Sequence, residues 1–139
     1  MITDIAPFLA FTGNAATAIR HYEAVLPDAR LSILHSYGPG EEGAEGTVKF
    51  AVLQISELRL RIIDVPPESG VSMGAGVSVF VTCDSAEDVD RIADGLGEGG
   101  GALMPPGAYP FADRFAWIAD RFGVNWQLIY GHRLESGAG

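Results

Sequence analysis

Arg59 and Arg61 are the residues of this sequence best placed to do chemistry, because they stand two apart in the run Leu58-Arg59-Leu60-Arg61-Ile62-Ile63. A strand turns successive side chains to opposite faces, so Leu58, Leu60 and Ile62 form an apolar face while Arg59, Arg61 and Ile63 share the other. Two guanidiniums on a sheltered face would hold a carboxylate or phosphate through charge-assisted, bidentate hydrogen bonds. The competing reading is a solvated or dimer-edge face whose arginines pair with glutamates of a nearby loop. Gln127 is the second candidate: alternation groups it with Asn125 and Ile129, away from Trp126, Leu128 and Tyr130, and its amide could orient a ligand. His35 and Tyr37 fall on one predicted face with Leu31 and Ile33, which would bring an imidazole and a phenol to a cavity mouth. These five residues, Arg59, Arg61, Gln127, His35 and Tyr37, form the expected ligand-binding set; no catalytic residue is assigned.

The remaining reactive groups read as structural. Cys83 ends a strand before a helix start, a setting that can lower a thiol pKa, yet no histidine lies near it in sequence and a buried structural thiol is expected. His21 belongs to the surface of a helix and His132 to the tail. Asp113, Arg114, Asp120 and Arg121 read as solvated charges flanking a turn.

The elements that must position these residues follow from periodicity. A short apolar strand over Ile5 to Phe11 leads through Thr12-Gly13-Asn14, with Asn14 as N-cap, into a helix over Ala15 to Val25. Its face is Ala15, Ala18, Ile19, Tyr22 and Leu26, and Pro27 ends it. Strands are predicted over Arg30 to Tyr37, Val48 to Ile55 and Leu58 to Ile63, the last two joined at Ser56-Glu57. Gly38 to Gly46, rich in glycine and glutamate, reads as a mobile loop. After Val65 to Gly76 the pattern restarts: a strand over Val77 to Thr82, a helix capped by Asp84 or Ser85 with Ala86, Val89, Ile92, Ala93 and Leu96 inward, then strands over Ala102 to Met104, Arg114 to Asp120 and Asn125 to Tyr130. This is an α+β chain of two tandem βαβββ modules in one domain: module 1 over about 4–65, a linker over about 66–76, module 2 over about 77–131 and a tail over 132–139.

Composition narrows the partners. Eighteen acidic residues against nine basic ones give a net charge of -9, which repels polyanions and argues against nucleic acid. Cys83 is the single cysteine, so an intrachain disulfide and a multi-cysteine zinc site are excluded. No apolar run reaches the roughly 18 residues of a membrane span, and the start lacks the basic region of a signal peptide, so a soluble, cytoplasmic protein is expected.

The residues Pro7-Phe8-Leu9-Ala10-Phe11-Thr12-Gly13-Asn14, with Ile19 and Tyr22, and the ending Asp120-Arg121-Phe122-Gly123-Val124-Asn125-Trp126-Gln127-Leu128-Ile129 resemble the PhnB-like branch of the vicinal oxygen chelate superfamily, which includes glyoxalase I, bleomycin-resistance proteins and extradiol dioxygenases. The resemblance runs over roughly Ile5 to Tyr130 and is most specific in its D-x-F-G-x-x-W-x-x-I ending. It implies a U-shaped, incompletely closed barrel, a homodimer and a concave inter-module cavity. It also implies metal ligands on facing strands, and these fall near Pro7, Val77, Arg61 and Gln127, of which Gln127 alone offers an oxygen. No metal or other cofactor is therefore expected, and a divalent ion is the alternative. Some relatives carry a demethylubiquinone methyltransferase-like label, but the chain lacks the glycine-rich strand-to-helix turn and acidic ribose ligand of a nucleotide-type cofactor site. The expected function is binding of a small anionic or aromatic molecule, with catalysis not required. The alternatives are a metal-dependent lyase or dioxygenase with an atypical shell, and an antibiotic-sequestering resistance protein.

Overall fold

The computed structural model describes residues 1–135, so the last part of the predicted tail, 136–139, lies outside the described residues. The chain divides into two compact units between Ser72 and Met73. Unit 1 contains β1 (Phe8–Phe11), α1 (Ala15–Val25), β2 (Ala29–Ser36), β3 (Val48–Ile55) and β4 (Leu58–Asp64), followed by a single 3-10 turn at Pro67–Ser69. Unit 2 contains β5 (Val79–Thr82), α2 (Ala86–Gly97), β6 (Gly101–Tyr109), β7 (Ala112–Ala119) and β8 (Asn125–His132). Each unit is one four-stranded mixed sheet with one helix, ordered β1-β4-β3-β2 and β5-β8-β7-β6. The βαβββ order expected from the sequence is present twice.

In unit 1 the pairing of β1 with β4 is parallel and that of β4 with β3 antiparallel. Register sets Leu9 beside Ile62, Leu53 beside Leu60 and Phe11 beside Asp64. These residues share the face that meets α1, which buries Ala15, Ala18, Ile19 and Tyr22 as its periodicity requires. Asn14 does not cap α1 through its side chain. The buried carboxylate of Asp64 does so from the end of β4, accepting from the backbone N–H of Gly13 at 2.8 Å and Ala15 at 3.1 Å through Oδ1, and from Val48 N–H at 2.9 Å through Oδ2. One side chain thus satisfies the helix start and the first residue of β3.

The period of β2 breaks. A bulge between Leu31 and Ile33 pairs Leu31 with Leu53 but Ile33 with Val52, so these two do not share the face predicted for them. The loop that follows β2 is tied at its base by Tyr37 N–H to Thr47 O at 2.9 Å and Gly46 N–H to Tyr37 O at 2.9 Å, and Lys49 pairs with Glu41 across it.

In unit 2 the buried face of α2 is Val89, Ile92, Ala93 and Leu96, and Ser85 is its cap, accepting from Asp88 N–H at 3.1 Å. Strand β6 runs through Pro105 and Pro106 to Tyr109, well past the predicted Met104, with register shifts on both sides of the prolines. It lies at the sheet edge, where a residue without an N–H costs no inner hydrogen bond. Asp120 corrects the sequence reading: it is buried, not solvated. Its Oδ1 accepts from Phe122 N–H at 2.9 Å and Val124 N–H at 3.0 Å, and its Oδ2 from Trp126 Nε1 at 2.9 Å. Gly123 closes this turn at φ +88°, where a side chain would be strained.

Candidate functional site

The sheet face of unit 1 opposite α1 carries the two arginines, as alternation predicted. Phe8 of β1 and Val52 of β3 are the register neighbours of Arg61, and Gln54 is that of Arg59. Phe50, one pleat further along β3, meets Phe8 edge-to-face with ring centroids 5.9 Å apart. An apolar surface therefore adjoins a cationic one. The Arg61 side chain is 23% exposed and its Nη2 donates to Asp4 Oδ2 at 2.7 Å. Its Nη1 is shielded from solvent and has no hydrogen-bond partner among the described residues. Arg59 is exposed and makes no ion pair among the described residues. The loop glutamates considered as partners for these arginines do not supply them: Glu41 is engaged with Lys49, which holds its carboxyl below the ordinary range.

His35 pairs with Phe50 and so lies on the arginine face, exposed, on edge strand β2. Tyr37 lies beyond the end of β2. Its hydroxyl donates to the backbone oxygen of Asp64 at 3.4 Å, and its ring lies flat against Gly43, where an added Cβ would stand 2.3 Å from a ring carbon. The phenol is thus used to hold the loop onto the end of β4.

Gln127 occupies the corresponding strand of unit 2. Its neighbours in register are Phe80 and Trp117, and its Nε2 donates to Ser78 Oγ at 3.0 Å, leaving the amide oxygen for another donor. Asn125, on the same face, is buried and accepts from Trp117 Nε1 at 3.0 Å. The rest of this face is filled by its own rings. Tyr109 stacks on Phe111 with centroids 5.7 Å apart, and both meet Phe115 edge-on beside Ile129.

Pro7 and Val77, two of the positions that the resemblance assigns to metal ligands, both lie outside β1 and β5, and the residues that stand beside Arg61 and Gln127 in register are Phe8 and Phe80. Taken unit by unit, a phenyl ring beside a guanidinium in unit 1 and a phenyl ring beside one neutral amide in unit 2 do not fit a divalent ion, which needs several oxygen, nitrogen or sulfur donors. Among the described residues, no group of three His, Cys, Asp or Glu side chains gathers to hold a metal.

Three other features lie away from this face. A groove of about 640 Å³ runs along α2, β6 and β7 and is lined by Asp90, Asp94, Glu98, Arg114, Ala102 and Ile118 among others. None of the five expected ligand-binding residues lines it. Arg114, expected to be a solvated turn charge, instead forks onto Asp90 of α2, with Nε to Oδ1 at 2.8 Å and Nη2 to Oδ2 at 3.1 Å, and ties helix to sheet. Cys83 is half-buried, and burial, followed by the charges of Asp88 and Asp84, raises its thiol pKa above 9.0. The helix start beyond it does not produce a reactive thiolate. Among the described residues, no helix is long and apolar enough to cross a membrane.

Known proteins share this fold. The family described as 3-demethylubiquinone-9 3-methyltransferase matches residues 3–129. A Bacillus cereus structure described as a putative 3-demethylubiquinone-9 3-methyltransferase, PhnB protein, is 31% identical, with 93% of this chain and all of that one covered and a TM-score of 0.87. The Escherichia coli K12 protein YjdN is 26% identical over 138 residues, covering 89% of this chain and 92% of YjdN. A glyoxylase/bleomycin resistance protein/dioxygenase domain from Frankia shares the fold at 13% identity, with 97% of this chain and 96% of that domain covered and a TM-score of 0.66. Matched by the family model over nearly its whole length, and with the fold of a glyoxylase/bleomycin resistance protein/dioxygenase domain, the chain belongs to the 3-demethylubiquinone-9 3-methyltransferase (PhnB-like) family.

Proposed function

We propose that this protein binds a small anionic molecule on the arginine-bearing sheet face of unit 1, and that it does so without a divalent metal. The observation that carries this reading is Arg61, a guanidinium withdrawn from solvent with one amino group unpartnered. A shielded donor left unsatisfied is costly, and an anion that reaches it recovers a charge-assisted hydrogen bond. Arg59, two residues away on the same face and unpaired, adds a second positive charge. Phe8, exposed, and Phe50, half-buried, supply the apolar surface for the rest of the ligand. Gln127 takes a lesser role through its free amide oxygen, and His35 one at the rim. Binding suffices for this function, and no catalytic residue is assigned.

Methyl transfer is not carried over from the family's description. The β1–α1 turn holds one glycine, Gly13, and the backbone N–H groups of Gly13 and Ala15 are already taken by the Asp64 carboxylate. An anionic cofactor group would have to displace a buried carboxylate to reach them. The protein acts as a cytoplasmic homodimer in this reading, a state that light scattering on the purified chain tests directly.

The decisive experiment joins metal analysis to ligand screening. Protein purified without chelator is analysed for metals and titrated with Ni, Zn, Mn and Fe(II) under reducing conditions, then screened by thermal shift against small carboxylates, phosphates and cationic antibiotics. We expect less than a tenth of an equivalent of bound metal as a rough bound, and stabilisation by acids that is lost in Arg61→Ala. Stoichiometric metal with a rise in Tm would overturn the reading in favour of a lyase or dioxygenase with an atypical shell. Stabilisation by cationic antibiotics alone would favour sequestration instead.

A further inference from the structure

We infer that Asp4 is a built-in stand-in for the ligand's carboxylate, so that the molecule bound by Arg61 is a small monocarboxylic acid with an apolar body, which enters by displacing the segment 1–6, the chain staying anchored at Pro7, whose carbonyl accepts from Arg61 N–H at 3.1 Å. This inference rests on the proposal that Arg61 is an anion-binding residue. Residues 1–7 belong to no helix or strand, and the side chain that this segment lays on the guanidinium is itself a carboxylate. Asp4 reaches only one amino group: its Oδ2 accepts from Nη2 at 2.7 Å, while Nη1 makes no hydrogen bond. An arginine fork accommodates both oxygens of a carboxylate in parallel. Asp4, tethered through its own backbone, forms half of that arrangement. A free acid carries no such tether and can satisfy both groups.

The surroundings define the rest of the molecule. Phe8 and Val52 flank Arg61 in register, and Phe50 stands edge-on to Phe8. Phe8 is 54% exposed, a large ring left uncovered next to a charge. A flat or branched apolar body attached to the carboxylate would cover it. Inorganic phosphate, with four oxygens to satisfy and no apolar part, would leave the ring bare and have Nη1 and Nη2 as its main donors. Displacement of Asp4 is inexpensive, because its side chain is 54% exposed and a part-exposed ion pair is weak. The segment therefore sets a threshold for binding without blocking it, and the apparent affinity falls by the fraction of sites that Asp4 occupies.

The test is calorimetric titration of the full-length chain with benzoate and, separately, with inorganic phosphate, using wild type, Asp4→Asn and Arg61→Ala. Amide chemical shifts of residues 3–6 are followed in parallel. Asp4→Asn should bind benzoate about two- to fivefold more tightly than wild type, the gain expected when a weak competing ion pair is removed. Arg61→Ala should abolish the heat of binding, and saturating benzoate should move the amides of residues 3–6 in wild type. Equal affinity in wild type and Asp4→Asn, with binding still lost in Arg61→Ala, would refute displacement and leave Arg61 standing as an anion site. Benzoate binding that survives Arg61→Ala, or binding of neither benzoate nor phosphate in Asp4→Asn, would overturn both readings. Tighter binding of phosphate than of benzoate would refute the monocarboxylate assignment. Thermal unfolding of each variant confirms that these are effects on binding and not on folding.

Discussion

Units 1 and 2 have the same order of elements, yet the sheet face that each turns away from its helix has been put to a different use. In unit 1 the last strand presents Arg61 beside Phe8, and the chain just ahead of β1 supplies its polar partner, Asp4. In unit 2 the last strand presents Gln127 beside Phe80, and the chain just ahead of β5 supplies Ser78. The geometry is repeated, while the charge is not. Unit 2 then closes its face with Tyr109, Phe111 and Phe115, leaving little for a ligand to complete. A repeated module therefore keeps its hydrogen-bond plan while its chemistry diverges, and function is to be sought where a polar group is left unsatisfied.

The comparison extends to the buried carboxylates, and there the largest effects are expected. Asp64 and Asp120 each accept hydrogen bonds from three N–H groups. Removal of either by alanine strands those donors, so Asp120→Ala and Asp64→Ala should each cost about 3–5 kcal/mol, read as a fall in the urea midpoint at constant slope. A cost below about 1 kcal/mol in one of them, well short of a stranded buried donor, would break the parallel between the units.

Leu60 and Arg61 separate the two faces of a single strand. Leu60 is fully buried against unit 1's core, and Leu60→Ala should cost about 2–5 kcal/mol by leaving a cavity. Arg61→Ala should change stability by less than about 1 kcal/mol, because its ion pair is part-exposed. A large loss of stability in Arg61→Ala would mean that the arginine belongs to the core and not to a site.

Exchange of the equivalent residues sharpens the contrast in binding. Arg61→Gln, which gives unit 1 the residue found in unit 2, should weaken the binding of any acid found by screening about tenfold or more, corresponding to about 1.4 kcal/mol. Gln127→Ala should change it less than about threefold, since a neutral amide contributes a weaker bond. Isothermal titration of both variants checks the ranking, and a larger effect at Gln127 would move the site to unit 2.

The smallest effect concerns Cys83. Burial and the charges of Asp88 and Asp84 disfavour its thiolate, so its alkylation by iodoacetamide should rise with pH to a midpoint above that of an ordinary thiol and be slower at pH 8 than that of a free thiol. A midpoint below 8, on the activated side of an ordinary thiol, would make the start of α2 a reactive site.

Much of this architecture was legible from periodicity. The bounds of α1 and β3 and the opposed faces of β4 follow from spacing, because each element buries one face continuously. The departures share a cause, which is information held by distant residues. The α1 start looks capped by Asn14, but Asp64, some fifty residues on, does the work. Pro105 and Pro106 argue against a strand until β6 is known to be an edge. The bulge in β2 depends on the register of β3. At the site, alternation placed Arg59 and Arg61 on one face, whereas Phe8 and Phe80 become the residues beside Arg61 and Gln127 only once the parallel pairings are known. The role of Asp4 had no local signal at all.

Asp120 and its turn have a consequence for how such chains are grouped. The most distinctive run of the sequence, from Asp120 to Trp126, is built of a carboxylate, a left-handed glycine and an indole that hold one another in place at the base of a hairpin. The run holds itself together through its own hydrogen bonds, and none of them involves Arg59, Arg61 or Gln127. A name inherited along such a signature transmits the architecture faithfully and the chemistry only by coincidence.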